Sequence, residues 1–247
     1  MTKVAALFLD DGGVLNDNRV RARQWQSLVA AYFPPHLGGA SARWFEANGT
    51  IFWQAFARMN ARLERWQDDD GAYDRELDRY YVDWLRSMCD EVGVAAPASD
   101  AACSALARQA DEWIIPRVRS AYAGVADAVA ALSGDYALYT ASGSSSRELD
   151  LYLGAMGVRA HFRRLYGPDL VGTPKNRTLY YERIFADAGV DPATVVVVDD
   201  SPPAIGWAVA AGAGAVLVGE APADGLPAGV ERIGRLAELP ALLRKQG

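Results

Sequence analysis

VAALFLDDGGVL, residues 4–15, is an apolar run that stops at two carboxylates and a glycine pair. Six of the seven residues from Val4 to Asp10 are apolar. The segment therefore reads as a strand covered on both faces, as a parallel sheet requires, not as the alternating strand of a half-exposed hairpin. Asp10 closes it. Ligands of open α/β sheets collect at the carboxyl ends of strands, and Gly12 and Gly13 allow a turn with close backbone approach to something small. An Asp in this place also serves as an ordinary turn former or helix cap, so the segment needs a second signal.

That signal lies at residues 194–201, TVVVVDDS, where four valines run into Asp199 and Asp200 and Pro202 and Pro203 follow. Two buried strands that both end in Asp-Asp, if they are neighbours in one parallel sheet, gather several carboxylates at a single edge. Clustered carboxylates raise one another's pKa unless a cation neutralises them. An oxygen-only ligand set with few carboxylates suits Mg²⁺, which keeps several waters and often meets its substrate's phosphate. The same residues also read as a helix start, with Ser201 as N-cap and Pro202 in the first helical position.

Two smaller pieces lie between these strands. Tyr136 to Thr140 (YALYT) reads as a short strand ending in a hydroxyl. The serines that follow it suit a cap: Ser145 and Glu148 have capping-box spacing for a helix over 147–156. Thr140, at the strand tip, is better placed to hold a phosphoryl oxygen. Lys175, in GTPKN, precedes a helix with apolar residues at Leu179, Ile184, Phe185 and Ala188. By spacing alone it is a solvated surface charge.

In order, DDGGVL at 10–15, LYTAS at 138–142, TPKN at 173–176 and VVVVDDS at 195–201 resemble the four motifs of the haloacid dehalogenase-like hydrolase superfamily. The resemblance covers about half the chain. Each motif is weak alone, but four in order are specific. It implies a Rossmann-like core and a mechanism in which Asp10 attacks phosphorus and forms an aspartyl phosphate. Thr140 and Ala141 would bind the substrate's phosphoryl group. Lys175 would neutralise that group's charge and orient Asp10. Mg²⁺ would be held by Asp10, the Gly12 carbonyl and Asp200, with Asp199 nearby.

One position departs from the family's phosphatase pattern. The residue two after the nucleophile is usually a second Asp that serves as general acid and base, and here it is Gly12. The carbonyl ligand survives, but the proton donor does not. General acid and base catalysis is worth about 10² to 10⁴ in rate, so a slow phosphatase, or one that takes a good leaving group, is expected. Asp11 does not replace the acid, because side chains alternate along an extended strand and Asp11 points away from Asp10's side.

From about Asn16 to Tyr122 the text turns helical. Phe52, Phe56, Met59, Leu63 and Trp66 recur at helical spacing, as do Leu77, Tyr81, Trp84 and Met88, which describes amphipathic helices packed on one another. Pro34-Pro35, Gly38-Gly39 and residues 68–71 read as loops between them. Such an insert after the first strand resembles the family's helical cap. The expected division is thus a core of 1–16 with 120–247 and a cap of 17–119. Six of the seven tryptophans, Trp25, Trp44, Trp53, Trp66, Trp84 and Trp113, fall between the first two motifs. Helical spacing makes them core residues first; one or two facing a cleft could stack on an aromatic or sugar-like leaving group. Arg19, Arg23, Arg58 and Arg62 read mainly as solvated charges, with an anionic substrate as their other use.

Composition narrows the function. A net charge of −6 and no basic tract argue against nucleic-acid binding. No segment has the length of a transmembrane helix, and the opening residues lead into a strand instead of a signal peptide, so a cytoplasmic protein is expected. Cys89 and Cys103 suit reduced core thiols. His36 and His161 are too isolated for a metal cluster, and His161 reads as packing. Residues 221–247 read as a loop and a short helix.

The sequence therefore describes an α/β protein, a Rossmann-like parallel sheet with an inserted helical cap. It is expected to act as a Mg²⁺-dependent phosphatase on a small phosphomonoester, as a monomer or homodimer. The alternatives are a 2-haloacid dehalogenase using the same Asp, against which the Asp199-Asp200 pair counts, and a non-hydrolytic phosphate- or metal-binding protein.

Overall fold

The computed structural model describes residues 3–65, 72–220 and 225–245. Trp66, the 68–71 loop and the outer parts of the 221–247 tail lie outside the described residues. The chain divides into two compact units, one of residues 1–18 and 120–247 and one of residues 19–119.

The first unit is a parallel sheet. Its strands are β1 (Ala6–Leu9), β2 (Ala137–Ala141), β3 (Phe162–Tyr166), β4 (Val195–Asp199), β5 (Gly214–Val218) and β6 (Glu231–Ile233). They lie in the order β3-β2-β1-β4-β5-β6, all in parallel register. The chain leaves β1 toward one edge through β2 and β3, and returns to β1's other side for β4 to β6. The switch point, where an open sheet of this order forms its crevice, lies between β1 and β4. Both strands that the sequence marks as ending in Asp-Asp are therefore adjacent.

Alternation along β1 and β4 sorts their side chains onto two apolar layers. Leu7, Leu9, Val196 and Val198 pack with Val129 and Leu132 on one helix (Val125–Asp135) and Leu149 and Leu153 on another (Ser146–Ala155). On the opposite face Phe8, Val195 and Val197 pack with Tyr180, Tyr181, Ile184 and Phe185 of the helix Thr178–Ala188 and with Ala204 and Ala208 of the helix Pro202–Ala210. Phe8 anchors that second layer, with Tyr139 stacked at 4.8 Å and Phe185 edge-on at 5.1 Å.

Several local expectations hold and several change. Ser145 and Glu148 form the full capping box at the start of the helix Ser146–Ala155. Ser201 does stand at the N-cap of the helix Pro202–Ala210, but its side chain caps nothing. Its N–H instead donates to Asp199 Oδ1 at 2.9 Å. The tail holds a strand as well as the short helix Leu239–Arg244. His161 does not only pack: its Nδ1 lies 2.8 Å from Ser133 Oγ.

The second unit is helical: α1 (Asn18–Tyr32), α2 (Pro34–Leu37), α3 (Ser41–Leu63), α4 (Ala72–Val92) and α5 (Asp100–Ile114). The Pro34-Pro35 pair, read as loop, opens the short helix α2, because prolines fit a first turn whose N–H groups have no helical partner. Leu77, Tyr81, Trp84 and Met88 are all buried on α4, as their spacing requires. On α3 the match is partial: Met59 and Leu63 are buried, while Phe56 is exposed. Trp44 and Trp84 are core residues around Phe33, at 4.9 and 5.7 Å between ring centroids. Trp53 is 62% exposed. Trp113 lines an open pocket of about 560 Å³ with Tyr32 and His36. Arg62 is committed within the unit to Glu76 and, at 3.2 Å, to Asp83. Cys89 and Cys103 are free and buried.

Candidate active site

Asp10 leaves β1 on the face of Phe8, and Asp199 ends β4 on the face of Val197, so alternation sends both carboxylates to the same side. The loop before the helix Thr178–Ala188 comes up on that side and delivers Lys175. Its Nζ lies 3.0 Å from Asp10 Oδ1 and 2.6 Å from Asp199 Oδ2. Only 8% of the Lys175 side chain is exposed. The sequence reading of Lys175 as a solvated charge is thus corrected: nothing in its local spacing reveals two carboxylates brought from strands far away in sequence.

Asp199 Oδ1 accepts from the Ser201 N–H, and its buried Oδ2 is ion-paired with Lys175 at 2.6 Å. Among the described residues Asp10 Oδ2 has no such partner. Asp10, Asp199 and Asp200 each place a carboxylate oxygen within 4.8 Å of the others, a spacing that one cation can bridge. Gly13 makes that approach possible. Its φ is 81°, and a β-carbon there would overlap the Asp200 carboxylate. The Gly12 carbonyl lies in the same loop.

The electrostatics follow from burial. Desolvation raises the Asp10 pKa from 3.8 to about 7, against the pull of Lys175 and with further upward push from Asp199 and Asp11. Burial, and then the charge of Asp10, raise Asp200. Desolvation would lower Lys175, but Asp10 and Asp199 outweigh it and hold the ammonium well above its usual range. Three carboxylates against one ammonium leave an excess of about two negative charges when all are ionised, and this donor set fits a divalent, oxygen-preferring ion.

Asp11 goes to the other face, as alternation predicts. It is fully buried and accepts a 2.7 Å hydrogen bond from Asn16 Nδ2. Thr140 stands in register with Leu9, one residue short of Asp10. Its hydroxyl donates to the Tyr166 carbonyl at 3.2 Å, not to Asp10. That carbonyl also accepts from Ser142 N and Tyr180 Oη, both at 3.1 Å. Tyr180 Oη is equally 3.1 Å from the Ser142 carbonyl, and its single proton serves one of the two carbonyls. Ala141 ends β2 in register with Tyr166.

Tyr181 has no mark in the sequence beyond a core position on its helix. Its hydroxyl is buried without a hydrogen-bond partner among the described residues. It lies in the electrostatic reach of Lys175, Asp199 and Asp10, and burial pushes its pKa up.

A parallel α/β sheet with a carboxylate–lysine–carboxylate cluster at its switch point, interrupted by a helical insert, has the architecture of a capped α/β hydrolase. The chain belongs to the haloacid dehalogenase-like hydrolase family, whose model matches residues 11–212. Among solved structures it is similar to the L-2-haloacid dehalogenase of Xanthobacter autotrophicus, with 16% identity, a TM-score of 0.68 and coverage of 99% of this chain and 100% of that one. A defluorinating L-2-haloacid dehalogenase aligns with 18% identity and a TM-score of 0.68 over 98% of this chain and 95% of the other. The hydrolase YfnB of Bacillus subtilis, solved bound to magnesium, aligns with 15% identity and a TM-score of 0.64 over 98% and 100%. No curated protein sequence matches the chain. Among the described residues no helix is long and apolar enough to cross a membrane.

Proposed function

We propose that this hydrolase is a Mg²⁺-dependent phosphatase that transfers the phosphoryl group of a small phosphomonoester to Asp10 and then to water. The observation that carries the reading is the convergence of Asp10, Asp199 and Asp200 within 4.8 Å around one lysine. Displacement of halide from carbon gives no reason to gather three carboxylates, whereas a phosphate and a divalent ion do.

Asp10 Oδ2 is the attacking oxygen: its bond to phosphorus forms as the bond to the leaving oxygen breaks. Lys175 holds Asp10 through Oδ1 and places a positive charge beside the arriving phosphoryl oxygens. Thr140, in register with Leu9 at the tip of β2, turns its hydroxyl from the Tyr166 carbonyl to a phosphoryl oxygen when one is present, and Ala141 lies beside it at the strand end. Asp10, Asp200 and the Gly12 carbonyl would hold Mg²⁺, with Asp199 behind them, and the ion screens the two anions from each other and neutralises charge on the transferring group. Water then attacks the aspartyl phosphate and returns the Asp10 carboxylate. The net charge of −6 supports small molecules, not nucleic acid, as partners.

Dehalogenation of a 2-haloacid is the second reading. The named relatives above support it, and so does Gly12, because halide departs as an anion and needs no proton. In that reaction Asp10 would form a carbon ester that water hydrolyses, with no call on Mg²⁺. Identities of 15–18% with those relatives speak to the fold, so the carboxylate cluster weighs more here.

One screen separates the two. Phosphate release from sugar, nucleotide and carboxylic-acid phosphates is measured with Mg²⁺ and with a chelator, beside chloride release from L-2-chloropropionate. Mg²⁺-dependent phosphate release that falls at least ~10³-fold in Asp10→Asn is expected. Phosphate release that is absent throughout, or intact in Asp10→Asn, rejects the phosphatase. Chloride release that ignores the chelator puts the dehalogenase in its place.

A further inference from the structure

Breaking the P–O bond of an alkyl phosphate leaves an alkoxide, which needs a proton as it departs. A positioned acid is worth about 10² to 10⁴ in rate there. The described carboxylates beside Asp10 are Asp11, Asp199 and Asp200. On an extended segment the next position on Asp10's side is residue 12, which is glycine. Its backbone does not demand glycine, since Gly12 is not among the glycines with positive φ. What a side chain there would meet is the movable end of Asn18. A β-carbon on residue 12 would stand 2.7 Å from Asn18 Oδ1, 3.0 Å from Nδ2 and 3.2 Å from Cγ. The Asn18 amide occupies the room into which a side chain on residue 12 would grow. An amide donates a hydrogen bond through Nδ2 but does not give up its proton near neutral pH. Each of these carboxylates has another use: Asp11 accepts from Asn16 on the opposite face, Asp199 meets Lys175 and the Ser201 N–H, and Asp200 belongs with Asp10 and Asp199 to the cluster that would hold the cation.

We propose that Gly12 and Asn18 together restrict this site to substrates whose leaving group departs as a stable anion, namely phosphates of carboxylic acids or phenols as opposed to alkyl phosphates. The inference rests on the phosphoryl-transfer reading above. In the first step the Asp10–phosphorus bond forms, and the electron pair of the breaking P–O bond stays on the leaving oxygen. The carboxylate or phenolate departs unprotonated and receives at most a hydrogen bond from Asn18 Nδ2. In the second step water attacks phosphorus, its proton passes to solvent, and the pair of the Asp10–P bond returns to the carboxylate. Asn18 thereby acts as a specificity-determining residue.

The test is the dependence of kcat/KM on leaving-group acidity, measured with Mg²⁺ on the intact chain across acetyl phosphate, a graded series of aryl phosphates and alkyl phosphates. kcat/KM reports the first step even where hydrolysis of the aspartyl phosphate limits kcat. The expected result is a steep decline, with alkyl phosphates at least ~10²-fold below the most acidic leaving groups. Gly12→Asp combined with Asn18→Gly, which opens the room, should raise the alkyl rates ~10-fold or more and flatten the slope, while Gly12→Asp alone should flatten it less. Circular dichroism and thermal melts of both variants establish that they fold. Turnover of the whole series with a flat wild-type slope overturns this inference and leaves the phosphatase reading standing. Absence of phosphate release from every member overturns both.

Discussion

Lys175 is the buried ammonium that faces both Asp10 and Asp199. Buried between Asp10 and Asp199, it is the positive charge that allows two carboxylates to stay ionised out of water, and removing one partner of such a group leaves uncompensated charge behind. Lys175→Met should therefore destabilise the metal-free protein by about 3 to 5 kcal/mol at pH 8. The loss should shrink at pH 5, where Asp10, raised by burial to about 7, is protonated and needs no counter-ion. Urea unfolding in chelator at the two pH values checks this, and equal losses at both would contradict the arrangement. At this scale the sequence speaks clearly about residues on strands and poorly about residues on loops. Asp10 and Asp199 are legible because each closes an apolar run, and Asp11's turn to Asn16 follows from alternation. Lys175 carries no local sign of its partners, and Tyr181 looks like any other core aromatic. Their placement depends on how a loop and a helix settle against strands distant in sequence.

Among elements, what reads from the sequence is what local chemistry controls. The capping box of Ser145 and Glu148 is complete within four residues, with the Ser145 N–H donating to Glu148 Oε2 at 2.8 Å, so its pattern suffices to place the start of its helix. Ser145→Ala should cost about 1 kcal/mol, read as a lower urea midpoint with an unchanged m-value, and no loss would mean that the helix start is held by tertiary packing alone. By contrast, the helix Pro202–Ala210 has no side-chain cap: the Ser201 hydroxyl caps nothing, and the Asp199 carboxylate accepts from the Ser201 N–H just ahead of the helix. Strands β3 and β6 lack an apolar signature: Arg163 and Arg164 interrupt the first, and Glu231 and Arg232 open the second. Both are edge strands, where one side has no neighbour and charged residues prevent unwanted pairing. They take strand form because the sheet supplies a partner, which no local pattern announces. The helices of the insert are legible by period where they are buried on several sides, as on α4, and less so on α3, where Phe56 keeps the period but faces solvent.

For the whole molecule, the buried carboxylates of the site make stability depend on pH, and the proposed cation would change that dependence. The folded-state pKa of Asp10 is raised to about 7 from 3.8, so between these values the folded protein binds more protons than the unfolded chain. The sign then follows: the metal-free protein is most stable below about pH 4 as far as this group is concerned, and it loses that contribution as pH rises through about 7. On the phosphatase reading a divalent ion would oppose this trend, since it would compete with the proton for Asp10, and its stabilisation would grow as RT ln(1 + [L]/Kd), about 2.7 kcal/mol at one hundred times Kd. The rise in Tm on adding Mg²⁺ to chelator-treated protein should therefore be small at pH 5.5 and several degrees at pH 8. It should vanish in Asp200→Asn, which removes a ligand, and persist in Trp53→Ala, an exposed residue of the insert. Thermal melts across this pH range decide the matter: a rise that is equal at all pH values, or one that survives Asp200→Asn, would mean that the ion binds elsewhere and that the three carboxylates meet for a reason other than metal.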